Sequence, residues 1–190
     1  MPPAHQPDNK DWSERRADAR RNHEKVTVAA LAVFAGRGME ATVSEIAVLA
    51  GVGKATVYRS YPTRADLVDA IARRHLTWLT ERIEQASTVD DAINALQNLL
   101  RDLSDKLATD RSFAETLHRI LQPSDRDHTT DLLTKIITTA QRQGRLRPDT
   151  TAQDIRVLVG GYAHTLRDLG IRDPGQWRRY ADLVLDALRT

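Results

Sequence analysis

Wherever the spacing of apolar residues is regular in this chain, it repeats at three and four residues, the period of one helical face. Val26, Ala29, Ala30, Val33 and Phe34 fall at i, i+3, i+4, i+7 and i+8 of a first helix that begins near Trp12 or Ser13 and that Gly36-Arg37-Gly38 ends. Val43, Ile46, Ala47 and Ala50 share one face of a short second helix. Gly51 stops it, because glycine takes a positive φ without a Cβ penalty. A third short helix starts near Lys54, with Val57 its one large inward apolar residue. Pro62 disfavours the helical conformation at Tyr61, and Thr63 with Asp66 three residues on forms an acidic capping box. The helix that follows runs to about Gln85, with Leu67, Ile71, His75, Trp78, Leu79 and Ile83 along its stripe.

The rest of the chain reads as helix too. One helix follows Thr88 and reaches about Ala108, with Ile93, Leu96, Leu100, Leu103 and Leu107 on one face. Asp110 caps a shorter one holding Phe113, Leu117, Ile120 and Leu121, and Pro123 separates it from the next. That next helix carries Leu132, Leu133, Ile136, Ile137 and Ala140 and ends at Gly144. Two more cover about Ala152 to Leu169 and, with Pro174 at the favoured first position, about 174–189. No strand pattern longer than a few residues survives, so the expected fold class is all-α. Three segments are expected: a polar, proline-bearing and disordered arm over 1–12, a small three-helix unit over 13–62, and a helical domain over 63–190. The fourth helix is too long for the front unit alone and reads as a connector.

Charge sharpens this division. The 190 residues carry a formal charge of only +2, but from Arg15 to Arg64 nine basic residues face four acidic ones, against 18 and 19 from Ala65 onward. A basic front and a near-neutral rear confine phosphate contacts to the front. Arg15, Arg16, Arg20 and Arg21 make the start of the first helix basic, either as a solvated face or as phosphate contacts. There is no cysteine, which removes disulfides and thiolate chemistry. No apolar run approaches the roughly 20 residues of a membrane span and the N-terminus is polar, so a cytoplasmic location is expected. The six histidines form no ligand motif, Gly-x-Ser-x-Gly is missing, and Gly51-Val52-Gly53-Lys54 lacks the Walker spacing. Neither an enzyme nor a metal or other cofactor is expected.

The front pattern is more specific. Ala47 stands four residues before Gly51, where two steeply crossed helices nearly touch and only a small side chain fits. With Gly51 and the inward Val57 it describes a helix-turn-helix whose second helix reads the major groove. Adding Tyr61-Pro62 and Arg64-Ala65-Asp66-Leu67, the run from Thr42 to Leu67 resembles the DNA-binding region of the TetR family of one-component bacterial repressors. The detailed likeness covers about residues 20–70. Two departures are Gly53, where serine is common, and Tyr61, where phenylalanine is more usual.

The resemblance assigns phosphate contacts to Lys54, Tyr58 and Arg64, with Thr42 at the opening of the second helix. Ser44, Ala55, Thr56 and Arg59 are the candidates for base edges, Arg59 because a guanidinium can pair with O6 and N7 of guanine. The rival for Arg59 is a phosphate contact. Tyr61 is a further candidate for the same strand, and the rival for both tyrosines is a place in the small core. The partner so implied is an operator in double-stranded DNA, bound by a homodimer joined through the last two helices. Their expected seam is Ile155, Leu158, Val159, Tyr162, Ala163 and Leu166 against Trp177, Tyr180, Ala181, Val184, Leu185 and Leu188, with Gly160-Gly161 suiting a close crossing. The resemblance also implies a small-molecule inducer in a pocket enclosed by the fourth to seventh helices, with Trp78, Phe113, His118, Tyr162 and His164 as candidate lining and core packing as their alternative. A ligand-independent regulator, an activator and a helical interaction scaffold are the other readings.

Overall fold

The computed structural model describes residues 9–120 and 126–190, with side chains from Trp12 to Leu117 and from His128 to Thr190. Among the described residues all regular structure is helical. The first helix, α1 (Asn9–Arg37), starts three residues ahead of its expected start near Trp12. Nothing between Asn9 and Trp12 breaks a helix, since the last proline of the arm is Pro7. A 3-10 turn, Gly38–Glu40, leads to α2 (Val43–Ala50) and then α3 (Lys54–Ser60). Gly51 closes α2 at φ 65°, and the amide of Val52 returns to the Ala47 carbonyl at 3.0 Å, as in a Schellman ending.

Val26, Ala30 and Phe34 of α1 meet Ile46 and Ala47 of α2 and Val57 of α3 in a small front core. That core also takes in Leu67, Ala70 and Ile71 from the first turns of α4 (Arg64–Ala86), so α4 belongs to both halves of the chain. Thr63 and Asp66 form the expected capping box at its start. The rear core is built by the second half of α4 with α5 (Ala92–Thr109), α6 (Arg111–Ile120), α7 (Arg126–Arg142), α8 (Ala152–Asp168) and α9 (Pro174–Leu188). The expected stripe of α5 is buried along its length and packs mainly on α9. Asp110 caps α6 through the Phe113 amide at 3.0 Å, as its position in the sequence suggests. Ile120, Leu121 and Pro123, which end α6 in the sequence reading, lie outside the described side chains. No described helix is long and apolar enough to cross a membrane.

A second tie joins the halves. α6 packs on α1 and on the 3-10 turn, where the Glu115 carboxylate accepts the Met39 amide at 2.6 Å. Gly38 sits directly beneath that carboxylate at φ +66°, so a Cβ there would be both strained and in collision.

The last two helices correct the expected seam. Ile155, Val159, Tyr162, Ala163 and Leu166 of α8, with Trp177, Ala181, Leu185 and Leu188 of α9, are buried inside a single chain. Tyr180 and Val184 are partly buried against the same core. Helical periodicity identifies an inward face but not whose interior it faces, so the same stripe fits a partner's seam and the chain's own core. The outward apolar positions are Val157, Leu158 and Leu183, and Gly161 lies exposed beside the first two with nothing near its missing Cβ.

Candidate nucleic-acid interface

α3 is only seven residues long, and its two sides differ sharply. Val57 is buried in the front core while Lys54, Ala55, Tyr58 and Arg59 are exposed and Thr56 and Ser60 are half-buried. Tyr58 is 51% exposed, which removes the alternative that it is a core aromatic. Lys54, Tyr58 and Arg59 make no hydrogen bond or ion pair with other described residues, so their polar groups are available to a ligand. Arg59 and Thr56 also line a groove against α1, whose other wall includes Arg20 and His23. Gly53 supplies no side-chain cap to α3, and the Thr56 and Val57 amides reach the Gly53 carbonyl instead.

Three residues of the expected interface hydrogen-bond within the protein, Tyr61 buried and Thr42 and Arg64 exposed. Tyr61 is 6% exposed and its hydroxyl points inward, 2.6 Å from Thr27 Oγ1 and 3.2 Å from His23 Nε2. Thr27 gives its single proton to the His23 carbonyl at 2.9 Å, so Tyr61 must donate to Thr27 and accept from His23. The hydroxyl that phenylalanine would lack therefore fastens α3 to α1 rather than reaching a phosphate. Arg64 directs its guanidinium at the Ala41 carbonyl (2.8 Å) and the Met39 carbonyl while lying over the Phe34 ring. It braces the connection between α1 and α2 while remaining exposed. Thr42 is the N-cap of α2, its proton on Glu45 Oε2 at 2.9 Å and its oxygen accepting the Glu45 amide. While that box is closed it has no hydroxyl proton for a phosphate. The Thr42 amide, then its hydroxyl, and then Arg37 hold the Glu45 carboxyl below its ordinary range. Ser44 is half-buried on the first turn of α2.

Thr27, His23 and Glu115 were missed in the sequence. Thr27 interrupts an apolar stripe, a visible sign of a buried hydroxyl, but nothing in the sequence couples it to Tyr61 34 positions away.

In the rear, the expected lining is dispersed. Trp78 packs edge-on to Phe113 at 5.4 Å, and Phe113 in turn lies 4.9 Å from His75. Tyr162 is bonded to Ser104 at 2.8 Å, and burial pushes its hydroxyl up to about 12. His164 is exposed beside Arg167 and Asp168, and the side chain of His118 lies outside the described ones. A separate cavity of about 60 Å³ opens between α4 (Leu76, Leu79, Ile83), α5 (Leu99, Leu100, Leu103), α7 (Thr129, Leu133) and α8 (Ile155, Arg156, Val159). Its wall is almost wholly apolar, with Thr129 and Arg156 the polar exceptions.

Beside it lies a buried polar cluster. Ser112 donates to Asp110 Oδ1 at 2.7 Å, and Lys106 pairs with Asp110 Oδ2 at 2.9 Å. Since Ser112 has no second proton, His75 Nε2 must be the donor in their 3.3 Å contact, which fixes its tautomer. Burial lowers His75 to about 4, opposed by Asp110 and assisted by Lys106, so its ring is neutral. Burial alone would raise Asp110, but Ser112, Lys106 and the Phe113 amide together hold it below its ordinary value.

Residues 26–71 match the family model for bacterial regulatory proteins, tetR family, and residues 91–190 match that for the C-terminal domain of SbtR-like transcriptional regulators. Among solved structures the chain is similar to the TetR transcriptional regulator SCO0520 of Streptomyces coelicolor, at 28% identity and a TM-score of 0.65 over 88% of this chain and 98% of that one. A TetR regulatory protein of Mycobacterium vanbaalenii shares 27% identity with a TM-score of 0.63, over 92% and 99% of the two chains. SmeT, the repressor of the Stenotrophomonas maltophilia multidrug efflux pump SmeDEF, shares the fold at 20% identity and a TM-score of 0.65, over 88% and 90%. No curated protein matches the chain.

Proposed function

Because the chain belongs to the TetR family of transcriptional regulators, which are DNA-binding proteins rather than enzymes, we propose that it is a dimeric repressor. In this reading it binds a palindromic operator through α3 and is released by a small molecule held in the rear domain. The division of α3 into a buried Val57 side and an outward Lys54, Ala55, Tyr58 and Arg59 side is the observation that carries it. Such a row offers a cation and a hydroxyl for phosphates and a planar fork for a base edge.

The dimer is proposed on the outward apolar residues Val157, Leu158 and Leu183 and on the open space over Gly161. One seven-residue reading helix contacts few base pairs, and two copies related by a two-fold axis double that number. The inducer is proposed to enter the cavity between α4, α5, α7 and α8, whose volume is several times the roughly 10–15 Å³ that admits one water. Its lining suits a small, largely apolar body. Leu76 and Leu79 on its wall stand about one and two turns beyond Ile71 in the front core, so a ligand there would press on the helix that seats the reading head.

The test compares Arg59→Ala and Lys54→Ala on a duplex enriched by the protein from a randomised pool. Arg59→Ala should lose about 1–3 kcal/mol and relax one base position. Lys54→Ala should weaken all sequences alike and reduce the slope of log K against log salt by roughly 1. Equal, sequence-independent weakening by both would remove the base-reading role from Arg59.

A further inference from the structure

α1 continues well past the core that it builds. From Trp12 to Lys25 none of its side chains is buried, and the first buried one is Val26. At 1.5 Å per residue these 14 positions extend the helix by roughly 21 Å. Such a segment standing alone would be marginal in water. It is sustained as the continuation of a packed helix, with the Arg21–Asp18 ion pair on one side and the Arg16 bond to the Trp12 carbonyl on another.

Its charges are sorted by face. At 100° per residue, Trp12, Arg16, Arg20, His23 and Thr27 fall within an arc of about 80°. Arg15 and Ala19 widen that arc, and no acidic residue enters it. Glu14, Asp18, Arg21, Glu24 and Lys25 occupy the other side, where acids and bases are mixed. The acid-free arc is the N-terminal continuation of the stripe that buries Ala30 and Phe34. Thr27 at its inner end is bonded to Tyr61, the residue that ends α3, and Arg20 lines the groove shared with Thr56 and Arg59, where Glu24, at the margin of the arc, is the one acid and is paired with Arg74. The opposite side is turned elsewhere: Arg21 and Lys25 border Leu49 and Ala50 of α2. Arg20 has no ion-pair partner among the described residues.

We propose that, granted the DNA-binding role above, this overhanging face of α1 is a second contact surface for the phosphate backbone of the operator, with Arg16 and Arg20 continuing the basic row that Arg59 begins on α3. Duplex DNA is the occupant that fits: it is a polyanion, it is already held by the adjoining helix, and the acid-free arc lies on that helix's side. The contacts are to phosphates, so they add affinity and salt dependence and leave the preferred sequence unchanged.

Two double variants of the full chain with equal charge test this on the enriched duplex. Arg16→Ala with Arg20→Ala changes the proposed face, and Arg21→Ala with Lys25→Ala changes the opposite one. Alanine has the highest helix propensity, so α1 is retained in both, as circular dichroism will verify. The first pair should lower the slope of log K against log salt by about 0.9 for each lost phosphate contact, or roughly 1.8 per protomer, with the enriched motif unaltered. The second pair should leave the slope within about a third of that change. Equal slopes for the two pairs would overturn the proposal and leave the arginines as a solvated face. Failure of the unaltered protein to hold any duplex would overturn the DNA-binding role itself and this surface with it.

Discussion

At the scale of single residues, the tyrosine at position 61 shows how an outward-looking polar group can be structural. His23, Tyr61 and Thr27 pass hydrogen bonds around a closed loop that returns to the His23 carbonyl. Tyr61→Phe opens this loop over a buried Thr27, and leaving a buried hydroxyl short of a partner typically costs about 1–3 kcal/mol. Chemical denaturation should register that loss while DNA affinity and its salt slope stay unchanged; a fallen slope would mean that the hydroxyl reaches a phosphate after all. His75 makes a second residue-scale case. Its folded value of about 4 lies below the ordinary 6.5, so the unfolded chain takes up the proton first as pH falls. Stability is therefore full above about pH 6.5 and declines toward pH 4, by at most ~1.4 kcal/mol per pH unit. Asp110, held below its ordinary 3.8, adds its own loss only at lower pH. Denaturant midpoints at pH 7 and pH 4.5 should differ for the native chain and differ less for His75→Leu. Which residues would be exposed on α3 was legible from Val57 alone, but the inward turn of Tyr61 and the backbone bonds of Arg64 depend on partners 34 and 23 positions away, which no local pattern reveals.

Among elements, most helices were legible because they carry their own starts and stops: Thr63 with Asp66, Asp110, Gly51, Gly144 and Pro174 all act where the sequence places them. What stayed hidden is how the elements are tied together. The Glu115 carboxylate on the Met39 amide links α6 to the turn before α2 across 76 positions, supplementing the continuous α4. Glu115→Ala should free that amide, so its hydrogen exchange is expected to speed up while the amides of Ala30 and Ile46, inside the front core, remain protected. Unchanged protection at Met39 would show that the turn is held by packing on α6 and not by the carboxylate. Effector control, in the reading proposed above, has two routes from rear to front: the length of α4, and the packing of α6 on α1 and the 3-10 turn with the Glu115 carboxylate as its polar tie.

On the scale of the whole molecule, the two-part organisation could be read from charge and from the length of α4, because a basic front and a neutral rear require different surroundings. Which apolar positions of α8 and α9 stay outside the chain's own core could not. The stripes of α8 and α9 are largely consumed by one chain's core, and the apolar positions left outside are Leu158 of the expected stripe with Val157 and Leu183. Two copies joined there would present two α3 helices, and the operator should carry the same two-fold symmetry as the protein. The most direct measurement is therefore sequencing of the duplexes that the full chain retains from a randomised pool. Recovery of an inverted repeat, its half-sites about one or more helical turns apart, is the expected result. Recovery of a single unpaired half-site would contradict the dimer, and no enrichment at all would contradict the DNA-binding repressor.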